Sequence, residues 1–298
     1  MPSELVESAP AKVNLTLRVL GRRADGYHDI ESLVAFADMA DRLALTPGDA
    51  LTITVDGPSA AQSGAEADNL VLKAARALGA RVPDLRAGAF RLEKNLPVAA
   101  GLGGGSADAA AALRLLARAN RLAPDDPRLD DAARATGADV PVCLDPRPRL
   151  MHGIGDLLSA PLPLPQLCAL LVNPGVTLPT KLVFAGWRPS ASPAPAPGNA
   201  ADFAANFAIL ANMDNERQLF DWLTREKNDL EAPAIALAPV IVEILASLRA
   251  TTGCRLARMS GSGATCFALF SSAAETAAAA KNLRAQFPHW WISETMLG

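Results

Sequence analysis

The chain of 298 residues has one tyrosine, three histidines and four cysteines. Cys143, Cys168, Cys254 and Cys266 form no Cys-x-x-Cys pair and no Cys/His ligand spacing, which excludes a structural zinc site. They lie in apolar stretches such as Val142-Cys143-Leu144 and read as free thiols of a reducing compartment. Glu4, Glu7, Lys12 and Arg18 interrupt the first twenty residues, which excludes a secretory signal core. No apolar run approaches the ~18 residues that span a bilayer. The expected protein is soluble and cytoplasmic, with no membrane partner. Net charge is -3, and there is no run of like charge that would mark a general nucleic-acid binder. Any anionic ligand must be held by a local arrangement. His152 and His289 have no partner at ligand spacing, and no protein-built metal site is expected. Nothing in the sequence signals an oligomeric state.

Half of the residues are hydrophobic, enough for a substantial core. Residues 12–20 alternate strictly, with Val13, Leu15, Leu17 and Val19 on one face and Lys12, Asn14, Thr16 and Arg18 on the other. That pattern predicts a half-buried strand. Further strands are expected at 42–46, 51–55 and 89–94, and a helix capped by Asp68 and stopped by Gly79. Ala109, Ala112, Leu113 and Leu116 give the segment after Gly105 a helical stripe. From 167 onward the order is strand, helix, strand, strand, helix, strand, which suggests a ferredoxin-like unit. A cluster of prolines at 146–165 places a domain boundary, giving residues 1–160 and 161–298. Pro189–Gly198 reads as a Pro/Ala/Ser-rich surface loop.

The most informative segment is Leu96-Pro97-Val98-Ala99-Ala100-Gly101-Leu102-Gly103-Gly104-Gly105-Ser106-Ala107-Asp108. Four glycines in five residues let backbone approach a bulky ligand, and the helix that follows offers free N–H groups and a positive dipole end to an anion. No lysine follows, so it is not a Walker A loop, and Ser106 stands where a dinucleotide fingerprint needs glycine. The Ser106 hydroxyl could cap the helix, touch a phosphate or help hold a metal ion.

Other residues admit two readings. Asp139, in Thr136-Gly137-Ala138-Asp139-Val140-Pro141, is either a general base held on a turn or a helix cap. Pro141 is expected to keep Val140 extended. Lys12 is either a solvated edge residue or a cation that neutralises a carboxylate or phosphate. Asn14 shares its face. Tyr27 and His28 either pack their own loop or stack on and read a nucleobase. The second glycine-rich turn, Met259-Ser260-Gly261-Ser262-Gly263-Ala264-Thr265, is a hairpin turn or a second set of N–H groups for a phosphate or hydroxyl.

Taken together, these segments resemble the GHMP kinase superfamily. The loop at 96–108 is similar to its phosphate-binding motif and 258–266 to its C-terminal motif. Pro10-Ala11-Lys12-Val13-Asn14-Leu15, Arg23-Ala24-Asp25-Gly26-Tyr27-His28, Gly137–Pro141, Asn173-Pro174-Gly175-Val176 and Asn228-Asp229-Leu230-Glu231 narrow the likeness to a branch acting on a cytidylated methylerythritol. The resemblance implies an α+β fold of two domains, the first ribosomal-S5-like and the second ferredoxin-like. It implies ATP-dependent phosphorylation of the 2-hydroxyl of that small molecule, in the non-mevalonate route to isoprenoids. Asp139 would be the base and Lys12 its partner. Tyr27, His28 and Phe184 would hold the cytosine, with Thr180 nearby, and Asn69, Lys94 and Asp108 would surround the adenine nucleotide. Mg²⁺ would arrive with ATP. Asp156 stands where the pattern has Glu. Another kinase of the superfamily, such as homoserine kinase, and a non-catalytic nucleotide sensor are the competing expectations.

Overall fold

A computed structural model describes residues 4–189, 200–213 and 215–298. Most of the Pro-rich stretch expected as a surface loop lies outside the described residues. The chain packs as two compact units made of interleaved segments. One comprises Met1–Lys12, Met39–Val98 and Gly103–Pro146; the other comprises Val13–Asp38, Ala99–Leu102 and Arg147–Gly298. This is a division of another kind from a single boundary at 150–165.

In the first unit, the strand Ala87–Glu93 pairs antiparallel with Arg42–Gly48 and parallel with Thr52–Asp56. Its alternation buries Phe90 and Leu92, which meet Leu43 and Leu45 across the ladder. The helix Gly104–Ala119 packs against the helices Leu70–Gly79 and Val140–Leu144. Ala109, Ala110, Ala111 and Ala112 are all fully buried, so small side chains let its neighbours approach while keeping high helix propensity. The cap of Leu70–Gly79 is Asn69, one residue later than expected: its side chain accepts the Val71 N–H at 2.9 Å.

In the second unit, four antiparallel strands run in the order Trp291–Leu297, Leu167–Asn173, Cys266–Phe270, Cys254–Met259. In chain order that is 4-1-3-2, the ferredoxin-like arrangement expected from the sequence. The helices Val240–Arg249 and Ala273–Gln286 pack on it. Strand Leu167–Asn173, flanked on both sides, is a continuous apolar run because it sits at the centre of the sheet. A second set of strands in this unit pairs Arg18–Arg22 and Arg149–Gly153 with the first half of His28–Gly48.

Two local expectations are corrected. The first strand is Leu5–Asn14 and breaks before Arg18, and the face carrying Lys12, Asn14 and Thr16 is not solvated: their exposures are 3%, 2% and 3%. Alternation reports two different surroundings, and here both are protein. Val140 is helical rather than extended, because Pro141 falls in the first turn of Val140–Leu144, where a missing N–H costs nothing.

Candidate active site

Within the first unit, Lys12 ends its segment of the strand Leu5–Asn14, and its Nζ donates to Asp139 Oδ2 at 2.8 Å. Asp139 directly precedes the helix Val140–Leu144, but its side chain makes no capping bond. The carboxylate is turned onto the lysine instead, so the alternative reading of Asp139 as a helix cap does not hold. The Lys12 side chain is 4% exposed and that of Asp139 39%, which leaves the carboxylate open to a ligand and the ammonium behind it.

The helix after the glycine-rich loop begins at Gly104, with Gly103 as its cap at φ +62°. A Cβ on Gly103 would stand 3.2 Å from Lys12 Cβ and 3.3 Å from its Cε, so the lysine stem lies against the loop backbone. The N–H groups of Gly104, Gly105 and Ser106 have no partner among the described residues; the first intrahelical bond runs from Ala107 N–H to the Gly103 carbonyl at 2.9 Å. Three free donors at a helix start form an anion site. Ser106 is half-buried and does not cap the helix. Pro97 and Val98, at the loop entrance, are half-buried, and Ala107 is buried.

Lys94 does not stand free near this loop. Its Nζ donates to Asp41 Oδ2 and, at 2.6 Å, to Asp108 Oδ2, and all three side chains are almost wholly buried. Burial, only partly offset by Lys94, pushes the Asp108 carboxyl up to about 7, and Asp108 Oδ1 has no partner among the described residues. The neighbouring carboxylates hold the Lys94 ammonium above its ordinary value despite its burial. The acceptor atom of Asn69 is used by its own helix cap.

In the second unit, Ala99–Leu102 are held by the second glycine-rich turn. Thr265 N–H donates to the Ala100 carbonyl at 3.1 Å, and the Ser260 hydroxyl donates to that of Gly101 at 2.9 Å. Gly101 has φ +77°, and a Cβ there would fall 2.4 Å from the Ser260 carbonyl oxygen. Its glycine is therefore required by packing between two turns. Ser260 Oγ also accepts the Asn14 N–H at 3.1 Å, while Asn14 Nδ2 donates to Ser32 Oγ at 2.7 Å. Asn228 Nδ2 donates to the carbonyls of Met259 and Gly261, both at 2.8 Å. The turn's own bonds use the N–H groups of Ser260 and Gly263, and those of Gly261 and Ser262 have no partner among the described residues. Thr180 and Ser262 hydroxyls lie 2.9 Å apart.

The ring of His28 faces that of Phe184 with centroids 5.1 Å apart, and Trp187 meets it edge-on at 5.9 Å. Burial, reinforced by Arg22, lowers the His28 pKa below its ordinary value, which favours the neutral imidazole with one donor and one acceptor. Tyr27 makes no ring contact among the described residues and is 59% exposed. Its backbone closes the loop instead: its N–H donates to Asp25 Oδ1 at 3.0 Å and its carbonyl accepts Arg23 N–H at 2.7 Å. Asp156 accepts the Ile154 N–H at 3.2 Å and closes a turn.

Two of these residues escape the sequence reading. Asp41 had a signal, since it has the strand parity of Leu43 and Leu45; a carboxylate in phase with core positions needs a buried partner. Trp187 lies three residues after Phe184, one helical turn on, and the spacing is its only mark.

Comparison with known proteins gives the family. The N-terminal domain of GHMP kinases matches residues 69–145 and the C-terminal domain residues 203–289. A 4-diphosphocytidyl-2-C-methyl-D-erythritol kinase of Rhodopseudomonas palustris is 58% identical, over 97% of this chain and 95% of its own. One of Methylorubrum extorquens is 56% identical over 99% of both. A crystal structure of 4-(cytidine 5'-diphospho)-2C-methyl-D-erythritol kinase superposes with a TM-score of 0.74 at 35% identity, covering 99% of both chains. A homoserine kinase from Cytophaga hutchinsonii reaches a TM-score of 0.75 at 19% identity, covering 99% of this chain and 95% of its own, a likeness of fold alone. With identities of this size running the length of both chains, and both kinase domains matched in order, the chain belongs to the GHMP kinase family, in the group of the 4-diphosphocytidyl-2-C-methyl-D-erythritol kinases.

Proposed function

We propose that the chain transfers the γ-phosphoryl group of ATP to the 2-hydroxyl of 4-(cytidine 5'-diphospho)-2-C-methyl-D-erythritol, a step of the non-mevalonate isoprenoid route. The observation that carries the reading is the Lys12–Asp139 pair at 2.8 Å, with the lysine stem against a helix start that presents three free N–H groups. In this reading Gly104, Gly105 and Ser106 N–H groups hold the phosphates. Asp139 accepts the proton of the attacking hydroxyl, whose oxygen bonds to the γ-phosphorus while ADP leaves with the bridging oxygen. Lys12 orients the carboxylate and offsets charge developing on the hydroxyl oxygen. Phosphoryl transfer asks for positioning and electrostatics more than covalent chemistry, and both are built into this pair.

Mg²⁺ would enter with ATP. No cluster of three or more His, Cys, Asp or Glu among the described residues could cage it, and Asp41 and Asp108 are engaged on Lys94. The ion would be held mainly by phosphate oxygens and water, and the Ser106 hydroxyl would be a protein contact for it. When bound it neutralises phosphate charge. Asn14 and Thr180 contribute polar contacts to the second substrate, and Tyr27, His28 and Phe184 read its cytosine. The neutral His28 supplies the donor and acceptor that a base edge needs. Asn69 takes part on the adenine side through its half-buried side chain. The boundary between residues 1–160 and 161–298 is supported by the two family domains falling one on each side.

The test is to incubate the protein with ATP and the cytidylated substrate, with homoserine as competing acceptor, and weigh the products. One phosphoryl group added to the cytidylated compound, with none on homoserine, is expected. Preferential phosphorylation of homoserine, or of nothing, refutes the proposal.

A further inference from the structure

The phosphate reading requires that the start of the helix Gly104–Ala119 be held rigidly, because N–H donors help only when aimed. Asp41, on the strand His28–Gly48, does two things at once. Its Oδ1 accepts the N–H groups of Asn95 and Leu96, at 2.6 and 2.8 Å, the peptides that lead into the glycine-rich loop. Its Oδ2 accepts Lys94 Nζ, and the same ammonium reaches Asp108 in the helix that leaves the loop. A Cβ on Gly104 would stand 3.3 Å from Lys94 Nζ and 3.6 Å from Asp41 Oδ2, so this cluster lies directly against the first residue of the helix. Asn95 Nδ2 adds a bond to the Ala40 carbonyl at 3.3 Å.

We infer that Asp41 is a positioning residue for ATP: one buried carboxylate ties the entrance of the phosphate loop to its exit through Lys94. Lys94 then acts by aiming the helix start as much as by its charge. The inference rests on the reading of Gly104–Ser106 as the phosphate site, and the two can be tested apart.

Asp41→Asn keeps the side chain's shape and an acceptor for the two peptides, but sets an amide against the ammonium. KM and Kd for ATP should rise by ~10-fold or more, since a displacement of about an ångström is costly in such sites. Circular dichroism, kcat at saturating ATP and KM for the second substrate should stay within about three-fold, the pattern of a lost binding term. A folded variant with unchanged ATP affinity overturns the inference, and so does a loss confined to kcat, which would report a smaller active fraction. Should Asp41→Asn not fold, Asp108→Asn assayed at pH ~8, where the wild-type Asp108 is ionised, weakens the same Lys94 bridge from the helix and should raise KM for ATP in the same way; unchanged KM there overturns the inference. Gly105→Val tests the underlying reading, because Gly105 is exposed and a Cβ there meets only the tip of Leu70. If Gly105→Val loses ATP while folded Asp41→Asn keeps it, only the role of Asp41 falls. If Gly105→Val binds ATP normally, the phosphates bind elsewhere.

Discussion

Asp139→Asn separates chemistry from binding. The asparagine fills the same volume, retains an oxygen toward Lys12 Nζ at the 2.8 Å position, and cannot take a proton from the attacking hydroxyl. Loss of a general base costs at least ~10²-fold in rate, or about 2.7 kcal/mol of transition-state stabilisation. ATP affinity should change by no more than about two-fold, because the Gly104–Ser106 donors make no use of the carboxylate. The variant also leaves the Lys12 ammonium, 4% exposed, without its counter-charge. A fully buried pair broken this way costs ~3–5 kcal/mol. Asp139 is more than a third exposed and water screens the pair, so about 1–2 kcal/mol is expected. The assays are single-turnover phosphoryl transfer, calorimetric ATP titration and thermal melting. If the two residues act as one unit, Lys12→Met combined with Asp139→Asn should cost scarcely more than Asp139→Asn alone. Near-normal turnover by a folded Asp139→Asn protein would refute the reasoning, and so would fully additive losses.

Gly101→Ala should destabilise the fold by at least ~2 kcal/mol, because its Cβ falls 2.4 Å from the Ser260 carbonyl at φ +77°; a melting curve matching wild type would show that the two turns are not in close contact. Tyr27→Ala should raise KM for the cytidylated substrate by roughly ten- to a hundred-fold, the equivalent of about 1–3 kcal/mol of base stacking, and leave KM for ATP unchanged; equal losses for both substrates would mean the ring does not stack on cytosine. Asp108→Asn should flatten the dependence of stability on pH. The folded protein keeps the Asp108 proton up to about 7, whereas the unfolded chain releases it near 3.8, so between those values the folded state binds more protons and stability falls as pH rises. Denaturation midpoints for wild type and variant that run parallel from pH 4 to 8 would show that Asp108 is not raised.

The ferredoxin-like half was legible because its signals are local: strand and helix periods, and a glycine-rich turn between adjacent hairpin strands. Lys12 and Asp139 were legible only as motif members, since 127 positions separate them and neither has a local signature of pairing. The buried state of Lys12 was hidden for a different reason. Alternation distinguishes polar from apolar surroundings, and a face made of Lys12, Asn14 and Thr16 looks solvated whether it meets water or Asp139, Ser32 and Leu33. The four glycines were read as room for a ligand. Gly101 is also required by the protein itself, because a Cβ would meet the Ser260 carbonyl, and at Gly103 a Cβ would press on the Lys12 stem. A sequence cannot separate those two reasons for lacking a Cβ.

Under the proposed reading, a chain of net charge -3 would hold polyanions, and where its few lysines are spent bears on how. Of the six lysines, Lys12 and Lys94 are buried at 3% and 4% exposure, each on carboxylates of its own unit. Each is paired with carboxylates, so the proposed phosphate site does not rely on a lysine-phosphate salt bridge of the Walker A kind from either. In the proposed reading the attraction falls to backbone: the helix start at Gly104 and its N–H groups unpaired among the described residues, whose dipoles are fixed in place and would need no side-chain ordering. The buried lysines would then serve aim rather than attraction. Lys94 bonds to Asp108 in the helix that carries the proposed donors, and Lys12 holds the carboxylate proposed as the base. Arginine would suit neither place, because a compact ammonium fits between two carboxylates or behind one, where a planar guanidinium would not. This accounts for lysine at both positions in a chain that otherwise uses arginine for nearly four of every five basic side chains.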